Sequence, residues 1–127
     1  MSTDKLMMLK DENVQLFLTE TANSLIKLDL IIYFHDKPCT WYDLEEISVF
    51  MGRSIEILAF ELEELVLKGI IEKSICNQKV KTLYRYGSDE SARKRVESFI
   101  SSYNDYIERL KIICTLLRND SAVKNAV

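Results

Sequence analysis

The side chains with the chemistry to hold a metal or attack a substrate are few, and their spacing suits neither task. His35, the one histidine of the chain, stands four residues before Cys39, an interval at which two ligands can meet on one face of a helix. Pro38 lies between them and removes the helical geometry that this interval needs. His35 reads instead as the C-terminal residue of a helix, where it favours the dipole. Cys39, Cys76 and Cys114 are far apart and odd in number, which fits a reduced, cytoplasmic setting and offers no paired ligand motif. The acidic pairs Glu45-Glu46 and Glu63-Glu64 fall on exposed helix faces. There is no glycine-rich phosphate loop and no nucleophile paired with a base, so no enzymatic activity, no metal and no cofactor is expected. Trp41-Tyr42 either packs beneath a helix or anchors a partner.

The chemistry that remains is recognition, and its main sign is charge. A net charge of −3 hides a steep asymmetry. Residues 40–67 carry seven acids against Arg53 alone, a net of −6. Residues 68–95 carry eight bases against Glu72, Asp89 and Glu90, a net of +5. Such a division points to a macromolecular partner.

The elements that must carry these charges follow from periodicity. Residues 1–11 read as a loose leader without the apolar stretch of a signal peptide. No run of eighteen apolar residues exists, so no membrane span is expected. From Asn13, the residues Val14, Phe17, Leu18, Thr21, Leu25 and Leu28 recur at helical intervals, with Asn23 and Ser24 either interrupting the run or capping a second helix. The segment 24–35 is apolar on nearly all sides, as in a buried central helix, and Pro38 ends it. Thr40-Trp41-Tyr42-Asp43 has the form of a capping box and predicts a helix from Thr40 to Gly52, with Leu44, Ile47 and Phe50 or Met51 inward. Ser54 caps the next helix, with Ile55, Leu58, Leu62 and Leu65 buried and Gly69 at its end. Residues 70–76 and 79–87 predict a hairpin across Asn77-Gln78. Ser88 then caps one long helix running to about Arg118, followed by a frayed tail over 119–127.

Helix, helix, helix, hairpin is the order of the winged helix-turn-helix. The segments LEELVLKGIIEK (62–73), LYRY (83–86) and DLEEISVFMGRS (43–54) resemble, in turn, the junction of the third helix with the first wing strand, the returning wing strand, and the second helix with its turn. The chain is similar in these segments to small bacterial and archaeal transcriptional regulators of the ArsR and MarR kind. The expected fold is mainly α with a small β-hairpin. A winged-helix domain over 12–87 includes an extra N-terminal helix, and a C-terminal helix over 88–118 serves dimerisation.

The resemblance implies that the helix after Ser54 enters the major groove and the wing touches phosphate. Carried over by position, the groove-facing residues are Arg53, Ser54, Glu56, Ile57, Phe60, Glu61 and Glu64. Arg53 and Ser54 suit base edges, but three acids repel phosphate, and Ile57 and Phe60 suit a protein groove. Lys73, Lys79, Lys81 and Arg85 on the hairpin, with Arg93, Lys94 and Arg95 opening the last helix, offer phosphate contacts. Two partners therefore stand near parity. One is duplex DNA, bound mainly through a basic wing. The other is a protein docked on Glu56, Ile57, Phe60, Glu61 and Glu64.

A helix of 88–118 would span roughly 45 Å, longer than the winged-helix body. Its stripe of Val96, Phe99, Tyr103, Tyr106, Leu110, Ile113 and Leu117 needs a cover. Segment 13–22 is one candidate; a second copy, giving a two-fold homodimer, is the preferred one.

Overall fold

The computed structural model describes residues 7–76 and 81–126, the side chains of 121–126 apart. Among them the order is α1 (Glu12–Glu20), α2 (Leu25–Asp36), β1 (Tyr42–Asp43), α3 (Leu44–Met51), α4 (Ile55–Leu67), β2 (Ile71–Cys76), β3 (Lys81–Tyr86), α5 (Glu90–Asn104) and α6 (Tyr106–Ala126). The expected hairpin turn at Asn77-Gln78, and Lys79 with it, lies outside the described residues.

Helix α2 is the hub. It is capped by Ser24, whose hydroxyl accepts from the Lys27 amide at 3.1 Å. Its Leu28, Leu30, Ile31 and Phe34 are almost wholly buried. Around it stand α4, contributing Leu58, Leu62 and Leu65, and the terminal helices, contributing Val96, Phe99, Ile112 and Leu116. Gly69, at φ 78°, reverses the chain after α4 so that Ile70 and Ile71 return to this core. Ile55, expected inward, is 40% exposed as the first residue of α4.

Three departures from the sequence reading matter. First, the helix expected from Thr40 begins at Leu44. Asp43 is its cap, in a capping box with Glu46 (2.8 Å and 3.1 Å). The preceding Tyr42-Asp43 is extended and pairs antiparallel with β3, Tyr42 opposite Tyr84 and Asp43 opposite Leu83. The hairpin is therefore part of a three-stranded sheet of order β1-β3-β2.

Second, the single helix expected over 88–118 is two, and the first is capped by Asp89 rather than Ser88. Asp105 is extended (φ −78°, ψ 127°), and its carboxylate accepts from the Glu108 amide at 3.1 Å. The Asp-x-x-Glu run that starts there is itself a helix-start signal, so α5 ends and α6 begins anew. α6 then continues to Ala126, through the tail expected to fray.

Third, the leader is not loose along its whole length. Leu9 is 5% exposed, the Lys10 amide donates to buried Glu108 at 3.2 Å, and Lys111 reaches the Met8 carbonyl at 3.3 Å. Residues 8–10 thereby strap α1 to α6.

Candidate macromolecular interface

The outward face of α4 begins with Arg53, 38% exposed at its side chain and 3.5 Å from Asp29. Ser54 caps the helix, accepting from the Ile57 amide at 3.5 Å. Ile57 and Phe60 are exposed, Phe60 by 65%, and Glu56 is exposed beside them with no cation among the described residues.

The other α4 acids are held elsewhere. Lys27, on α2, is only 6% exposed, and its ammonium lies 3.1 Å from Glu61, 2.6 Å from Glu64 and 2.9 Å from the Asn23 carbonyl oxygen. A buried cation must find such partners, since desolvation without them is prohibitive. Glu61 and Glu64, expected to face a groove, are thus drawn back toward α2. Glu63 turns to the sheet, where both carboxylate oxygens accept from Lys73 at 3.0 Å and one from the Tyr84 hydroxyl at 3.3 Å. The sequence reading missed Lys27. Its signal was a lysine inside a segment apolar on nearly all sides, where only a carboxylate from a neighbouring helix can satisfy it.

Each described cation of the sheet has its own carboxylate. Lys73 meets Glu63, Lys81 meets Asp43 at 3.3 Å, and Arg85 meets Glu72 at 3.0 Å. The excess positive charge expected of the wing is locally cancelled at these three positions. In every case, however, the carboxylate keeps another donor. Asp43 caps α3, and Glu63 holds the Tyr84 hydroxyl. Glu72 accepts from the Ser88 amide at 2.6 Å and from the Ser88 hydroxyl. The Ser88 hydroxyl, its amide and Arg85 hold the Glu72 carboxyl below the usual value. The Asp43 carboxyl is lowered chiefly by the Glu46 amide. Arg85 also lies over the Trp41 ring, 4.4 Å from its centroid. Trp41 therefore packs against a sheet cation.

The basic start of α5 divides. Arg93 donates to the Gly87 carbonyl at 2.6 Å and stacks on Tyr86, bracing the joint between sheet and helix. Lys94 and Arg95 are exposed and line a groove against α1 instead. His35 bridges α2 to α5, its Nε2 2.7 Å from Glu97.

Of the residues expected at a dimer interface, Val96 and Phe99 are not on the surface. Both are fully buried, with Phe99 5.1 Å from Phe17 on α1, so α1 covers α5 from within the chain. Tyr103 is half-buried against the same core. Beyond the break the picture reverses. On α6, Ile112 and Leu116 face inward, whereas Tyr106, Leu110 and Leu117 are 64%, 44% and 50% exposed, with Ile113 half-buried at their side. The sequence reading also missed Val49 on α3, 82% exposed; of the two alternatives Phe50 and Met51, Met51 packs against the core, while Phe50, 64% exposed, rests on Tyr33 at the surface. Among the described residues no three His, Cys, Asp or Glu side chains gather as metal ligands, and no helix is long and apolar enough to cross a membrane.

These elements make a mainly helical, winged-helix-like fold with a three-stranded antiparallel sheet. No family model matches the chain, and no curated protein matches it. A solved structure does: a possible transcriptional regulator from Methanosarcina mazei Go1, 18% identical, with 80% of this chain and 85% of that chain covered and a TM-score of 0.57. At that identity the likeness is one of fold.

Proposed function

We propose that the protein is a non-enzymatic regulator of the ArsR and MarR kind that binds duplex DNA with α4 and the sheet. The observation that carries this reading is the disposition of the α4 acids. Glu61 and Glu64 share buried Lys27, and Glu63 is bound to Lys73 and Tyr84, which leaves Arg53, Ser54 and Ile57 facing out with Glu56 as the unpaired acid. The chief objection in the sequence, an acidic recognition helix, is reduced accordingly. The sheet contributes Lys81 and Arg85 by exchange. Their ion pairs are partly exposed and worth about 0–1 kcal/mol each, and Asp43 and Glu72 keep other donors when the cation leaves. Lys79 adds to this set from the sequence. The regulator resemblance supports the reading, as does the likeness in fold to the possible transcriptional regulator from M. mazei. Two copies joined through the exposed α6 stripe would present two such faces to two half-sites.

A specific observation favours a second reading, a partner protein on the same face. Phe60 and Ile57 are exposed apolar residues, and a protein groove would bury them.

One titration separates the two. Random-sequence duplex is added at low and at moderate salt while the single tryptophan, Trp41, reports on Arg85. DNA binding predicts micromolar affinity that weakens with salt, a change in Trp41 emission, and loss of both in Lys81→Glu with Arg85→Glu. Absence of binding at low salt refutes it and leaves the protein partner, for which Phe60→Ala is the test residue.

A further inference from the structure

Two pairs of consecutive charges find no opposite charge within 4 Å among the described residues, and they are of opposite sign. The first is Glu45-Glu46 on α3, both exposed. Glu46 accepts only from the Asp43 amide at 3.1 Å. One turn further along α3, on the same side, stand Val49 and Phe50, 82% and 64% exposed. With Asp43 these four line a shallow concavity of about 330 Å³. The second pair is Lys94-Arg95 on α5, also exposed, on one wall of a groove of about 350 Å³ between α1 and α5. Leu16, 53% exposed, stands on the α1 side of this groove, and buried Val14 and Phe17 lie beneath it.

We propose that these two surfaces bind each other between copies of the chain, α3 of one copy seating in the α1–α5 groove of the next. They match in two properties at once. Each joins an exposed apolar side chain to two adjacent helical charges, and the charges are opposite. Contact gives each acid a cation and covers Val49 and Phe50 with Leu16 and the groove floor. Complementary potentials favour this pairing and disfavour α3 against α3 or groove against groove. Glu20, which also lines the groove, opposes the contact, but it is one acid beside two bases. Phe50 already rests on Tyr33, with ring centroids 5.5 Å apart, so it loses little freedom on docking. A foreign basic protein would answer for α3 alone, whereas a second copy answers for both surfaces. Because the surfaces lie on different elements the contact is heterologous, and assembly continues past two copies. It is separate from the α6 stripe and does not rest on the DNA reading.

The test is sedimentation of the full chain carrying Leu110→Glu, which removes the α6 contact. This variant is a monomer where salt screens surface charge; at low salt its mean mass should rise with concentration past two protomers. Glu45→Lys with Glu46→Gln reverses the charge of the α3 face, and the glutamine keeps the capping box. Lys94→Glu with Arg95→Glu reverses the groove. Each double change sets like charges opposite one another and should weaken association at least tenfold. All four side chains are exposed, so the dichroism of both variants should match that of the parent. Mixed in equal amounts, the two variants meet with opposite charges at every junction, and association should return, which only folded proteins can do. No rise in mass at low salt, a species that stops at two protomers, or association unchanged by either reversal would overturn the proposal. A mixture that stays monomeric would also overturn it and leave α3 to a foreign basic protein.

Discussion

Replacing Lys27 by Met is the perturbation that reaches furthest, because it joins the fold to the interface. Methionine keeps the aliphatic stem inside the core and removes the charge. Glu61, whose side chain is 14% exposed, then loses its cation at 3.1 Å, while Glu64, 45% exposed, can turn to water. Breaking a fully buried pair from one side costs about 3–5 kcal/mol. Because Glu64 resolvates, a loss of about 2–4 kcal/mol is the expectation. For a chain of this size that corresponds to a fall in Tm of roughly 10 °C. Urea unfolding followed by far-ultraviolet dichroism measures it. Pairing Lys27→Met with Glu61→Leu should restore most of the loss, since an apolar replacement of a buried pair is often neutral. Lys27→Met alone also leaves one uncompensated negative charge behind α4. At roughly 8 Å from phosphate in water this is worth about 0.5 kcal/mol, so DNA binding should weaken about two- to threefold at low salt. A single variant within about 0.5 kcal/mol of wild type, or a double variant no better than the single, would refute the reasoning.

Other outcomes follow from particular contacts. A Cβ on Gly87 would meet the Gly69 carbonyl oxygen at 2.7 Å and that of Ile70 at 2.9 Å, so Gly87→Ala should cost about 1–3 kcal/mol in urea unfolding. Asp43→Ala removes the α3 cap and should cost about 1 kcal/mol by the same measurement, with weakened protection of the α3 amides in hydrogen exchange. The folded-state carboxyls of Asp43 and Glu72 titrate below their ordinary values, so the stability they give is present at neutral pH and lost as pH falls below about 4; Glu72→Gln should flatten that acid limb of the urea midpoint. Burial, with Tyr42 alongside, pushes Tyr33 up to about 12. Its raised value means stability held below pH 10 and lost as pH climbs toward 12, seen as delayed tyrosinate absorbance in the folded protein. Leu110→Glu should convert a dimer to a monomer in sedimentation while leaving the fold intact; an unchanged mass for a dimeric wild type would place the contact elsewhere.

The elements that periodicity and caps could reach were legible. Ser24 and Ser54 cap α2 and α4, Leu58, Leu62 and Leu65 form the buried row of α4, and the two hairpin strands pair. What escaped was set by competition between neighbours. Thr40 read as the cap with Asp43 as the acid of its box; the sheet decided otherwise, because Tyr42 pairs with Tyr84 and Asp43 becomes the cap of a helix that starts later. The apolar stripe of 92–117 keeps its period across Asp105, so periodicity alone could not show the break, whereas the Asp-x-x-Glu cap could. Charge was the least legible property. Summing residues 68–95 gave a basic wing, yet Glu63 and Asp43, from distant segments, cancel Lys73 and Lys81 in space. The acids of α4 were read as one exposed face, and Lys27 divides them.

The central claim, that α4 and the sheet form a DNA-binding face, is tested most directly by titrating the isotope-labelled chain with random-sequence duplex at low salt and following each backbone amide. The account predicts shifts over Arg53–Phe60 and along Lys81–Tyr86, diminishing together as salt is raised. A spectrum that does not move, or one that moves only on α5 and α6, contradicts it.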